Sequence, residues 1–175
     1  LQGGTLAGLT VSGVTDAAKA CVLVNSSSVP SSTVWNLGVR GCSVGVRVTS
    51  GALLLGAALT CQINAAGQRV SDSVLRVESG SSATVNGMLC LVPASVLSLY
   101  ADNPIQTGVY VDAGLCTVLN WRGDIAPKDS TQRSAVATNG ADLHVLNVEL
   151  KNAQVAVEIA AGGSNTEVEI TGSLE

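Results

Sequence analysis

The sequence predicts an all-β solenoid of about six stacked coils, and three observations predict it. First, one phrase returns from about Ser43 onward: two apolar residues at alternate positions, then a turn with Gly. It reads Val46 and Val48 before Gly51, Leu75 and Val77 before Gly80, and Val109 and Val111 before Gly114. It continues as Ala135 and Ala137 before Gly140, and Val157 and Ile159 before Gly162. Second, a shorter phrase follows, in which an apolar residue, then Asn or a substitute, precedes a second apolar residue. Third, the chain has no Phe and only four aromatic side chains, Trp35, Tyr100, Tyr110 and Trp121.

Each element follows from one of these. Period-two alternation marks a strand with one buried face, and Gly after it marks a turn that needs positive φ or close backbone approach. The expected inward columns are Val46, Leu75, Val109, Ala135, Val157 and Val48, Val77, Val111, Ala137, Ile159. The second phrase reads Asn36 before Leu37, Gly56 before Ala57, Asn86 before Gly87, Asn120 before Trp121, Asn147 before Val148, and Thr171 before Gly172. Asn is the non-Gly residue that best tolerates the left-handed region, so these positions read as one tight turn per unit. Repeating units of about 20–35 residues without helical periodicity imply stacked β-coils. A core of small branched side chains has little room for rings, which accounts for the missing Phe.

On these residues the sequence resembles the right-handed parallel β-helix family. This pectate-lyase-like fold is shared by polysaccharide lyases, pectinases, phage tailspikes and some viral capsid proteins. The resemblance rests on the irregular coil length and on Asn36, Asn86, Asn120 and Asn147, which look like that family's asparagine ladder. It covers about residues 20 to 175, with the first coil beginning near residue 20. A left-handed β-helix would need strict hexapeptides, which are absent. A β-sandwich is the alternative architecture, since it also produces many short strands with turn signals. Residues 1–175 read as a single domain, and with no initiator Met a fragment or processed product is the expectation.

Composition excludes several functions. Thirteen acidic against nine basic residues give a net charge of −4, whereas a nucleic-acid binder needs a basic face. The charged share is 13%, about half the usual roughly 25%. A mean hydropathy of +0.40 opposes disorder. No apolar run reaches the ~18 residues of a membrane span, so no membrane insertion is expected. The five cysteines, Cys21, Cys42, Cys61, Cys90 and Cys116, include no CxxC pair, and His144 is the only histidine. A zinc site is therefore not expected, nor any other cofactor. The thiols are read as small buried hydrophobes, which implies assembly in a reducing compartment.

Three groups of residues are candidates for chemistry. Glu78 and Asp112 fall at equivalent positions of adjacent coils, with Cα atoms about 5 Å apart. Such a pair suits a retaining glycosidase or a cation site, or else a solvated turn edge. No Arg or Lys base sits in their column, and neither the Asp-rich calcium site nor the Arg base of the pectate lyases is matched. Arg122, Gly123 and Asp124 read as an expansion of the fourth Asn turn that bulges outward. It looks like the integrin-recognition tripeptide of cell-attachment proteins; the alternative is a set of interface charges. His144 reads as an inward, hydrogen-bonded core residue. Arg47, Arg76 and Tyr110 share an outward column, where a stacked Arg76–Tyr110 contact would be a modest cation–π pair.

Outward Val, Leu and Ala, clearest at 53–55 and 92–100, predict an interaction face. A homotrimer of side-by-side β-helices would bury it. The leading expectation is a non-enzymatic virion structural protein assembled inside the host cell. It would be a cementing or spike component of the capsid surface, with other capsid or tail proteins and a cell-surface receptor as partners. The alternatives are a polysaccharide lyase or glycoside hydrolase of this fold, and a bacterial adhesin passenger.

Overall fold

The structure is a computed structural model and describes residues 1–12, 19–25, 31–61, 72–78, 80–90, 107–124, 133–151, 155–160 and 167–174. Its elements are all strands: β1 (Thr5–Ser12), β2 (Ala20–Val24), β3 (Ser32–Arg40), β4 (Val44–Val48), β5 (Leu53–Cys61), β6 (Ser73–Glu78) and β7 (Ser82–Cys90). They continue as β8 (Thr107–Asp112), β9 (Leu115–Asp124), β10 (Arg133–Thr138), β11 (Asp142–Lys151), β12 (Val155–Ala160) and β13 (Glu167–Leu174). Odd-numbered strands form one seven-stranded sheet and even-numbered strands one six-stranded sheet. The chain thus alternates between sheets, and all the strand pairings are parallel. That pattern departs from a β-sandwich, whose sheets are antiparallel. One strand, β1, precedes residue 20, earlier than the expected start of regular structure.

The six-stranded sheet carries the two expected inward columns, residue for residue. Val22, Val46, Leu75, Val109, Ala135 and Val157 stand in register, as do Val24, Val48, Val77, Val111, Ala137 and Ile159. They are buried as far as Ala135 and Ala137. Beyond β10 only one strand remains, and Ile159 is 58% exposed at that edge. The facing sheet supplies Val34, Val85, Val118 and Val145 in one column, with Gly56 between the first two. A Cβ at Gly56 would lie 3.1 Å from a methyl of Val34 and of Val85. Gly56 is therefore a space-saving core residue and not the turn residue expected from its phrase.

Each strand from β1 to β11 in the seven-stranded sheet is bent at one residue. Gly8, Asn36, Ala58, Gly87, Asn120 and Asn147 have φ values of 63, 49, 54, 82, 54 and 56°. The flanking pairings place them opposite one another: Trp35 faces Ala57, Ala57 faces Asn86, and Asn86 faces Leu119. A left-handed residue interrupts the period-two alternation. Val34 and Leu37 are both buried, while Trp35 and Asn36 between them are exposed. Both limbs of the strand thereby face the core.

The bend corrects part of the expected Asn register. Asn36, Asn120 and Asn147 occupy it, but Asn86 stands one residue early and Gly87 makes the turn. Asn86 still takes part through its side chain: Asn120 Nδ2 donates to Asn86 Oδ1 at 2.8 Å, and Asn147 Nδ2 donates to Asn120 Oδ1 at 2.5 Å. Thr171 pairs with Leu146, and the register of β13 shifts between Leu146 and Val148. The expected equivalence of Thr171 with Asn147 is therefore off by one.

The cysteines also depart from expectation. Cys21 and Cys42 form a disulfide, with Cα atoms 5.8 Å apart. Parallel pairing of β2 with β4, Ala20 opposite Val44 and Val22 opposite Val46, brings the two to one corner. Their apolar contexts do not reveal that closeness, which is within disulfide reach. Cys116 is a buried free thiol, as expected. The side chains of Cys61 and Cys90 lie outside the described ones.

Candidate functional site

The outward face of the six-stranded sheet carries the densest charge. Arg47, Arg76 and Tyr110 stand in register on β4, β6 and β8. The Arg76 guanidinium lies 4.5 Å from the centre of the Tyr110 ring, so the expected stacked pair forms. Alternation puts Glu78 on the same face as Arg76, two residues on, and opposite Asp112. Glu78 is not a solvated turn residue: it is buried. Arg47 Nε donates to its Oε2 at 2.9 Å, and Arg76 Nε contacts Oε1. Arg76 Nη1 continues to Asp72 Oδ2 at 3.0 Å. The row of Glu78 itself continues with Asp112 and Thr138, and the two arginines reach the carboxylate from the row two residues before. The signal was present in the spacing, since Arg47 lies diagonally across one strand and reaches further than a same-row contact.

These contacts set the charge state of Glu78. Burial alone would raise its carboxyl pKa, but hydrogen bonds from Arg47 and Arg76 outweigh it and hold the pKa below the usual range. A general acid needs the opposite shift. Asp112 accepts a hydrogen bond from Asn139 Nδ2 at 2.6 Å. The two carboxylates are adjacent in register, yet each is engaged by its own donor.

Arg122, Gly123 and Asp124 lie inside β9 and do not form a projecting turn. Leu89 and Cys90 pair with the first two on one side, and Glu149, Leu150 and Lys151 pair with all three on the other. Arg122 Nε is 3.5 Å from Glu149 Oε2. Trp121, expected to flank an outward loop, is fully buried in the column of Leu37, Leu59 and Met88. The turn residue Asn120 produces a bend without a bulge. The long stretches 62–73, 92–107 and 126–134, which the sequence alone reads as projecting insertions, and the apolar stretch 92–100 fall mainly outside the described residues.

His144 also faces outward, contrary to the inward placement expected. Its row is Thr33, Leu55, Thr84, Thr117 and Glu169. Nδ1 lies 2.9 Å from Glu169 Oε2, and Nε2 lies 2.8 Å from Asp142 Oδ1. Among the described residues no group of three or more His, Cys, Asp or Glu side chains is arranged to hold a metal ion.

The outer face of the seven-stranded sheet is apolar where it starts. Trp35 is 60% exposed, and Leu53 and Leu55 are each 43% exposed, while Leu54 between them is buried. Trp35 pairs with Ala57, and Thr33 pairs with Leu55, so these side chains form one patch on β3 and β5. Clefts follow the bend beside it. One, of about 430 Å³, is lined by Asn120, Arg122, Asn147, Val148, Glu149 and Gly172.

No protein-family model matches the chain, and no curated protein or solved structure matches it either.

Proposed function

We propose that the chain is a right-handed parallel β-helix of six coils preceded by one strand. We further propose that it serves as a non-enzymatic structural subunit of a virion surface, assembled side by side as a homotrimer. Alternation of the chain between two parallel sheets supports the coil, and parallel crossovers are right-handed in the great majority of proteins. The virion assignment rests on the resemblance to capsid and tailspike β-helices.

One observation carries the assembly: Trp35, Leu53 and Leu55 form a contiguous apolar patch on an outward sheet face. Water penalises such a surface, and burial against a copy removes the penalty. A disulfide is compatible with this location, because virion surfaces are among the places where disulfides persist. The polysaccharide-degrading alternative is less well supported, since the arginines keep Glu78 ionised. Arg122, Gly123 and Asp124 have no part in this role as an attachment loop, because all three pair with β11 and the first two also with β7.

Light scattering after size-exclusion chromatography tests the assembly. A trimer is expected, reduced to monomer by Trp35→Arg with Leu55→Glu. A wild-type chain that stays monomeric at micromolar concentration would overturn it. Release of reducing ends or unsaturated product from a polysaccharide panel, abolished by Asp112→Asn, would replace the structural role with an enzymatic one. Cell adhesion lost on Asp124→Ala would restore the attachment role.

A further inference from the structure

Among the described residues, β13 pairs with β11 alone in the seven-stranded sheet. Its pairing with β11 is imperfect: the register shifts between Leu146 and Val148, and β13 has no residue opposite the bend residue Asn147. The pairing also sets two carboxylates directly opposite, Asp142 on β11 and Glu167 on β13. Like charges in that arrangement push strands apart. Glu169 adds a third carboxylate one row further along.

His144 is set among these groups. Its two ring nitrogens each face a carboxylate oxygen, Asp142 Oδ1 at 2.8 Å and Glu169 Oε2 at 2.9 Å. Neutral imidazole has one N–H and one lone pair, so it can satisfy only one of the two; imidazolium satisfies both. Asp142 Oδ1 is shielded from solvent and has no aligned hydrogen bond among the described residues, so its main compensation is the charge on the ring. The rows of β9 beside this cluster hold Leu115, Thr117 and Leu119, none of which titrates. The groups facing His144 are therefore Asp142 on its own strand and Glu167 and Glu169 on β13.

The geometry points to a proton-operated latch: protonated His144 fastens β13 to β11, and loss of that proton loosens the pairing of the two strands. The Glu169 hydrogen bond and the neighbouring carboxylates raise the His144 pKa above its ordinary 6.5. The direction follows from that sign. The fastening is complete below about 6.5 and is lost as pH rises through the higher folded-state value.

Two measurements on the intact chain test the latch. NMR titration of the His144 ring should give a midpoint above 6.5, moving down toward it in Glu169→Gln. Amide hydrogen exchange, corrected for intrinsic rates, should show β13 losing protection between pH 6 and 9 while β9 keeps its own. In His144→Gln the protection of β13 should be low at both pH values. A ring midpoint at or below 6.5 would overturn the latch. So would a pH dependence of β13 protection that is the same in wild type and His144→Gln. Should His144→Gln fail to fold, Glu169→Gln carries the same comparison.

Discussion

Glu78 on β6 and Arg47 on β4 are held together at 2.7 Å, across neighbouring strands of the outward-facing sheet surface. Arg76 grips the other carboxylate oxygen. Removing the acid strands two partly buried guanidinium groups. Glu78→Gln should cost about 1–3 kcal/mol, less than a fully buried pair because Arg47 is partly solvated. The depressed carboxyl pKa makes this contribution present above about 4.5 and lost as pH falls through the lower folded-state value. Urea titrations at pH 7 and pH 3 check it: the gap between wild type and variant should narrow in acid.

The Cys21–Cys42 bond closes a segment with a sequence separation of 21. Constraining an unfolded loop of that size is worth about 3 kcal/mol. Cys42→Ser, or addition of reductant, should lower the urea midpoint accordingly. An unchanged midpoint under full reduction would show that the bond contributes nothing to stability.

Ala58 has φ 54°, where a β-carbon is penalised. Ala58→Gly should stabilise the chain by up to about 1 kcal/mol, since Gly enters that region freely. Asn120→Ala should act in the opposite direction, by about 1–2 kcal/mol. It loses hydrogen bonds to Asn86 and Asn147 and places Ala in the same unfavourable region. Thermal melts of the two single variants should therefore move in opposite directions.

Burial pushes the Cys116 thiol up to about 12. It should resist alkylation in the folded chain at pH 8 and react in denaturant, because the thiolate is the nucleophile. Peptide-resolved mass spectrometry distinguishes Cys116 from the other thiols. Fast native labelling of Cys116 would show that its strand opens locally.

The inward columns of the six-stranded sheet were legible in the sequence because a buried strand face states its own period. Val46 through Val157 needed only alternation and a turn marker to align. The bend was less legible, because three residue types perform the same task. Asn announces a left-handed residue, but Ala58 does not, and the adjacent Asn86 and Gly87 offer two candidates for one position. Cys21 and Cys42 were read singly, yet their meaning comes from β2 lying beside β4. His144 reads as inward only when aligned with Ala83 and Val168, each one residue short of its true row at Thr84 and Glu169. On a strand the neighbouring position faces the other way, so small alignment errors reverse the environment assigned to a residue. Arg122 to Asp124 was misplaced because Asn120 bends the strand without lengthening it.

In the middle of the chain the two connections between the sheets are unequal. From the six-stranded sheet to the seven-stranded one, the middle strands are joined by tight turns, such as Thr138 to Ala141, closed by a 3.1 Å hydrogen bond. In the return direction the chain runs from Cys61 to Ser73, from Cys90 to Thr107 and from Asp124 to Arg133. Strand alignment does not depend on those longer segments, since the columns stay in register across connections of quite different length. The entropy of closing a connection grows slowly with its length, by about 0.6 kcal/mol per doubling. New sequence can therefore be grafted at the return connections, such as a foreign epitope or a second binding loop, while the stack beneath keeps its alignment.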